Sequence, residues 1–302
     1  KEIYRGPDNH DGLNSIVWFY RLPRAVVCLF VGALLGTVGS AFQALFRNPL
    51  ADPYIVGVSS GAGIGGAIAI VAGWGEWFGN LGIAGCGFVT GVLTLSLVYQ
   101  LSKRRGVVDV RTLLLAGVVV GSMLSSLLSL VLLLFGKDES QILHFILGST
   151  TEANWQKAAV LAVAFVVGFG ILAVETKRLN AFALGEDVAQ RLGINVRRLT
   201  KVILVVGGGM TAAAVGTVGI IGFLGLVAPH IARRLVGVDW RWSLPGSALV
   251  GAVLLIGADL ISHYFFSAIT QTAGMDIPVG IVTSILGAPS LVILLRKANV
   301  RM

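Results

Sequence analysis

Nine stretches of mostly apolar residues follow one another along this 302-residue chain, at 24–46, 54–73, 81–101, 111–135, 155–175, 202–217, 219–235, 244–266 and 278–296. A helix needs about 20 such residues to cross the hydrocarbon core of a bilayer. A backbone in that core must satisfy its hydrogen bonds internally. The expected fold is therefore an all-α integral membrane protein, a polytopic helical bundle with nine spans in this chain. The pair at 202–235 is the least regular. It is nearly unbroken and carries Gly216, Gly219, Gly222 and Gly225, so it reads as two short spans with a tight turn or as one span plus a re-entrant piece.

Only 13% of the residues are charged, against roughly a quarter in an ordinary soluble domain. The 40 glycines suit membrane helices, where small residues let backbones approach closely. Cys28 and Cys86 sit inside apolar runs and read as small buried hydrophobes, neither a disulfide framework nor a metal cluster. A net charge of +8 could suggest nucleic acid, but the cations recur in short connections between apolar runs. With the N-terminus outside and the spans alternating, seventeen Lys and Arg fall on the inner side and six on the outer. That is the positive-inside pattern. It favours splitting 202–235 in two and places the C-terminus in the cytoplasm. Residues 1–20 are polar and are expected to form an extracytoplasmic N-terminal segment, followed by a single transmembrane domain over 21–302. An outside N-terminus with no span before it leads to the expectation of one further span ahead of Lys1, giving ten.

The longest inner connection holds a charged island, Leu184–Arg198, with Glu186, Asp187, Gln190, Arg191, Arg197 and Arg198 and with Gly185 and Gly193 at its flanks. Its residue types favour a short helix that glycines let the chain enter and leave. It is either a solvated loop helix or one that docks against something outside the bilayer. No Walker A pattern occurs, so this chain does not hydrolyse ATP in that way.

Other features carry competing readings. Arg21-Leu22-Pro23-Arg24 precedes the first span on the outer side, either snorkelling at the interface or receiving an acidic partner. Asn48-Pro49 and Asp52-Pro53 are turn signals ahead of a glycine-rich helix start with Gly57, Ser59, Ser60 and Gly61, where backbone lines a cavity or a partner helix. Gly57–Gly61 also fits G-x-S-x-G, the nucleophile elbow of serine hydrolases, but that motif needs a strand-turn-helix context and a base. Pro229 bends a helix whose inner end holds His230, Arg233 and Arg234. Asp259 is the one acid inside a span; it is either a functional carboxylate, as in an ion-coupled secondary transporter, or a helix-packing hydrogen-bond partner.

Taken in order, RLPR at 21–24, FRNPLADPYIVGVSSGAG at 46–63, LGEDVAQRLGI at 184–194, GIIGFLGLVAPHIARRLVG at 219–237, LPGSALVGAVLLIGAD at 244–259 and IPVGIVTSILGAP at 277–289 resemble the FecCD-like permease family of ABC importers for iron chelates, haem and vitamin B12. The resemblance covers about 20–297. It implies a ten-span subunit of a bacterial or archaeal cytoplasmic membrane, working as a homodimer or as paired related subunits. Its partners would be two cytoplasmic ATPase subunits, which bind the ATP and Mg, and an outer substrate-binding protein. No cofactor is expected on this chain. The resemblance implies ATPase coupling through Gly185, Glu186, Asp187, Ala189, Arg191 and Gly193. It implies binding-protein docking through Arg21 and Arg24, with His263 standing near a position where relatives often carry arginine. Asn48, Pro49, Gly57, Ser59, Ser60, Gly61, Pro229 and His230 are expected in the pathway or its packing. The outer loop 266–276 looks longer than in relatives.

Overall fold

The computed structural model describes residues 15–76, 81–104, 107–135, 139–270 and 277–299. A π-helical turn, Val17–Arg21, runs directly into helix α1, Leu22–Phe46. A 3-10 turn at Pro53–Val56 precedes α2, Val58–Val71; then come α3, Gly82–Leu101, and α4, Val110–Leu134. Two-residue strands, Lys103–Arg104 and Val107–Val108, pair antiparallel between α3 and α4. The short α5, Glu139–Ile146, leads to α6, Trp155–Val174. Two short helices follow, α7 at Thr176–Ala183 and α8 at Glu186–Arg191, and then α9, Val196–Val218. The chain closes with α10, Leu224–Val236, α11, Trp240–Thr270, and α12, Val279–Asn299.

Among the described residues six helices are long and apolar enough to cross a membrane: α1 with its π turn, α3, α4, α6, α9 and α11. Val58–Val71 and Val279–Ser290 are shorter apolar helices. α1 and α9 form the centre. α1 is apolar nearly all round and buried from Val31 to Leu45, as expected of a helix enclosed by others. α4 and α6 lie outside and expose Leu115, Val118, Val119, Met123, Val163 and Val166, as lipid contact or a protein partner requires.

A close glycine seam joins α1 to α11. A Cβ at Gly32 would lie 2.4 Å from the Gly251 carbonyl oxygen, and one at Gly36 would lie 2.2 Å from that of Ser247. Only glycine lets the backbones meet this closely. The two helices are antiparallel, and the same register continues eight residues on to Arg24 and Asp259.

The 202–235 region departs from a simple pair of spans. The first helix starts at Val196, so Arg197, Arg198 and Lys201 lie in its opening turns and not in the preceding connection. It ends at Val218, and α10 is only 13 residues long, about 20 Å against the roughly 30 Å of a bilayer core. Between them Gly219 (φ 78) and Phe223 (φ 65) break the helix. The freed backbone is satisfied locally. The Tyr54 hydroxyl donates to the Ile221 carbonyl at 2.8 Å and accepts from the Ile221 N–H at 3.1 Å. The second span likewise starts later than the apolar run at 54–73, because Asp52 caps the 3-10 turn and Gly57 (φ 77) redirects the chain into α2.

Candidate functional site

Two ends of the bundle gather the candidate residues. At the basic end, α8 is a six-residue helix set between two special backbone positions. Gly185 (φ 132) separates it from α7. At its other end Gly193 (φ 79) donates to the Gln190 carbonyl at 2.9 Å and Ile194 donates to that of Ala189 at 3.0 Å. This is a Schellman closure, which needs a left-handed residue at the position of Gly193. Ala189 is fully buried, whereas Glu186, Asp187 and Arg191 are exposed. Leu184, Val188 and Leu192, four residues apart, are exposed too. Val188 and Leu192, one helical turn apart, share one face of α8, with Leu184 before the Gly185 break, so α8 presents an apolar face flanked by charges.

Beside α8 a cavity of about 620 Å³ is lined by Gln43, Arg47, Asn48, Pro49, Asn180, Leu184, Arg233 and Asp239. Asn48 and Pro49 belong to its wall; the Asn48 side chain accepts from the Leu50 N–H at 2.9 Å and closes the turn there. Arg47 stacks on Phe182, 4.5 Å from its centroid. Asn180 donates to Asp239 at 2.7 Å and accepts from the Trp240 N–H at 3.0 Å, which joins α7 to the start of α11. The Arg241 N–H and the Asn180 amide hold the Asp239 carboxyl below its usual range.

Pro229 lies inside α10 and has no N–H to give the Gly225 carbonyl. The buried Gln43 amide reaches across from α1 to the Gly225 and Leu226 carbonyls, each at 3.4 Å, and its oxygen accepts from Arg233. Replacing Gln43 with Leu should leave those groups unpaired and destabilise the protein by about 1–3 kcal/mol. The check is the thermal midpoint in detergent; a midpoint equal to wild type would sink the bracing role. His230, next to Pro229, has a buried Nε2 with no hydrogen-bond partner.

Gly57 and Gly61 pack closely against α4 and α3. A Cβ at Gly61 would fall 2.1 Å from Thr94 Oγ1 of α3, and one at Gly57 would fall 3.1 Å from the Gly117 carbonyl of α4. Ser59 is buried in the first turn of α2, and Ser60 Oγ is 3.4 Å from Ser125 Oγ. Ser59 thus stands on a helix entered from a 3-10 turn, not on the strand-to-helix elbow that the hydrolase reading requires.

At the opposite end, Arg24 Nε donates to both Asp259 oxygens, at 3.1 and 3.0 Å, and Thr150 donates to Asp259 at 2.5 Å. Asp259 is therefore a helix-packing partner. His263, four residues beyond Asp259, packs edge-on against Tyr264 with centroids 5.0 Å apart. Arg21 is exposed at the end of the π turn. Residues 271–276 of the outer loop lie outside the described residues. Among the described residues no group of three His, Cys, Asp or Glu side chains converges as a metal site.

The FecCD transport family profile matches residues 3–297. The chain belongs to the FecCD transport family. It is 39% identical over 293 residues to the uncharacterized ABC transporter permease protein YvrB of Bacillus subtilis, covering 94% of this chain and 80% of YvrB. It is 36% identical to the cobalamin import system permease protein BtuC of Halobacterium salinarum, covering 95% of this chain and 74% of BtuC. It is 37% identical to the vitamin B12 import system permease protein BtuC of Salmonella arizonae, with 93% and 83% covered. A solved inward-facing ABC transporter described as of metal-chelate type superposes with a TM-score of 0.85 at 32% identity, over 97% of this chain and 91% of that one. The fold also matches PsaBC from Streptococcus pneumoniae in complex with Fab, at a TM-score of 0.60 and 16% identity. This FecCD-family chain is thus a multi-pass membrane permease of an ABC importer.

Three contributors to the two ends escape sequence reasoning in this permease: Gln43, Asn180 and Thr150. Pro229 does announce an orphaned carbonyl, but nothing local names Gln43 as its donor. The exposed pair Val188 and Leu192 was open to detection through its four-residue spacing.

Proposed function

We propose that this permease carries a cobalamin, haem or iron chelate from an outer binding protein into the cytoplasm. ATP and Mg are held by two partner ATPase subunits, and a second permease chain completes the pathway. The observation that carries this reading is α8 itself, a short helix fixed by Gly185 and Gly193 whose exposed apolar face and charges await a partner at the basic end. In this reading the basic end is cytoplasmic, the C-terminus lies there, and α2, α10 and α12 complete nine crossings. Docking of the binding protein falls to the opposite end, around Arg21 and His263. The corrinoid branch of the substrate class is supported by the two BtuC relatives and the chelate branch by the inward-facing neighbour.

The competing secondary-transport reading makes Asp259 an ion carrier. Its carboxylate is already engaged by Arg24 and Thr150, which leaves it poorly placed to bind and release a cation. Proteoliposomes holding the permease, its ATPase and its binding protein should take up labelled cobalamin or ferric siderophore only with ATP present. Equal uptake driven by an ion gradient without the ATPase would overturn the importer reading.

A further inference from the structure

Arg21 and Arg24 stand three residues apart, yet their surroundings differ. Arg21 is exposed and ends the π-helical turn, where the Leu22 N–H reaches back to the Val17 carbonyl. Arg24 sits in regular helix with 16% of its side chain exposed, against 11% for Asp259. Its Nε is committed to both carboxylate oxygens of Asp259. The pair lies in register with the glycine seam of α1 and α11, so its two ends are held at a fixed distance. The third member is of another kind. Thr150, only 2% exposed, belongs to the non-helical connection 147–154 between α5 and α6.

That connection is a junction. The Ser149 N–H donates to the Val218 carbonyl at 2.8 Å, where α9 ends. The Gly280 N–H, in the first turn of α12, donates to the Gly148 carbonyl at 3.2 Å. Gly148 (φ 78) is pressed so close to the chain break that a Cβ there would be 2.4 Å from the Ile220 carbonyl oxygen. Asp259 therefore fastens, through Thr150, the point where the ends of α9 and α12 meet the rigid α1–α11 pair.

We propose that Arg24, Asp259 and Thr150 form a latch holding the outer end shut, and that Arg24 is a positioning residue while docking charge is left to Arg21. The assignment of ends rests on the importer reading above. Alternating access needs an arrangement in which the outer end opens, and freeing Thr150 from Asp259 lets the connection move without parting the glycine seam. The short, partly buried ion pair sets the carboxylate's position; removing its charge weakens the hydrogen bond that Thr150 makes to it.

Cys28 reports on the latch. It follows Arg24 by one helical turn and is fully buried. In cells expressing the permease with Cys86→Ser and its ATPase, without the binding protein, an externally added, membrane-impermeant maleimide should label Cys28 slowly. Asp259→Asn and Thr150→Val should each speed labelling by about tenfold, the effect of losing one hydrogen bond to a charged group. Thr150→Ser, which keeps the hydroxyl donor, should label as slowly as wild type, a rescue by the conservative variant that general loosening of the bundle would not give. Arg21→Ala should label at the wild-type rate. Wild-type labelling in both Asp259→Asn and Thr150→Val, or a Thr150→Ser variant that labels as fast as Thr150→Val, overturns the latch. No binding protein or substrate enters this assay, so its failure is distinct from failure of the docking assignment, which a loss of affinity in Arg21→Glu tests separately.

Discussion

Replacing Leu192 with aspartate should abolish ATP-driven uptake while leaving the permease folded. Leu192 is 63% exposed and follows Val188 by one turn on the exposed apolar face of α8. Substituting so open a site normally changes folding stability by within about 0.5 kcal/mol, so the thermal midpoint should match wild type. The interface is where the effect falls. A charge placed among apolar contacts that a partner must desolvate costs on the order of 2–4 kcal/mol at a central position, or about 100-fold in affinity. Co-purification of the ATPase with the permease should drop accordingly, and uptake with it. Val188→Asp, one turn earlier on the same face, should do the same. Arg197→Ala, in the first turn of α9 and off this face, should keep most of the binding. Wild-type co-purification and uptake in Leu192→Asp would remove α8 from the coupling interface.

The short helix α8 was legible because it depends on order along the chain: a charged island of helix-forming residues with glycines at both borders. Its left-handed positions at Gly185 and Gly193 follow from the same local chemistry. What was hidden depends on which helices meet. Arg24 and Asp259 are 235 positions apart, and Gln43 meets Gly225 across 182. No periodicity within one helix encodes such pairs. Asp259 could be recognised as unusual, but its partner is fixed by the antiparallel register of the glycine seam. The break at Gly219–Phe223 was announced by its glycines, but its extended form was hidden for another reason. An apolar run looks alike whether helical or extended, and here the extended choice rests on tertiary supports, among them Tyr54 and the connection at Phe145–Gly148. The glycines of α2 mark the same limit: sequence announces close approach, and only the fold shows that the neighbour at Gly61 is Thr94.

Gly32→Val should be the most destructive single change at the α1–α11 seam. The contact is reciprocal: a Cβ at Gly32 would lie 2.4 Å from the Gly251 carbonyl oxygen, and one at Gly251 would lie 2.2 Å from that of Gly32. Real Cβ atoms do not come this close to backbone oxygens, and backbone in the middle of two packed helices cannot swing aside as a side chain can. The helices must separate, and the cost of such overpacking is ~3 kcal/mol or more. The damage would not stay local. Parting α1 from α11 pulls Arg24 away from Asp259 eight residues along the seam. It also disturbs the face of α1 from which Gln43 braces the Gly225 carbonyl. The variant should therefore accumulate poorly in membranes and show a sharply lowered thermal midpoint if it can be extracted. Gly257→Ala supplies the control within α11, since nothing lies within 4 Å of a Cβ there. It should be neutral or stabilising by up to about 1 kcal/mol, the usual gain when alanine replaces glycine inside a helix. Normal yield and midpoint for Gly32→Val would mean that the seam can open without loss, and the rigidity assigned to the outer ion pair would go with it.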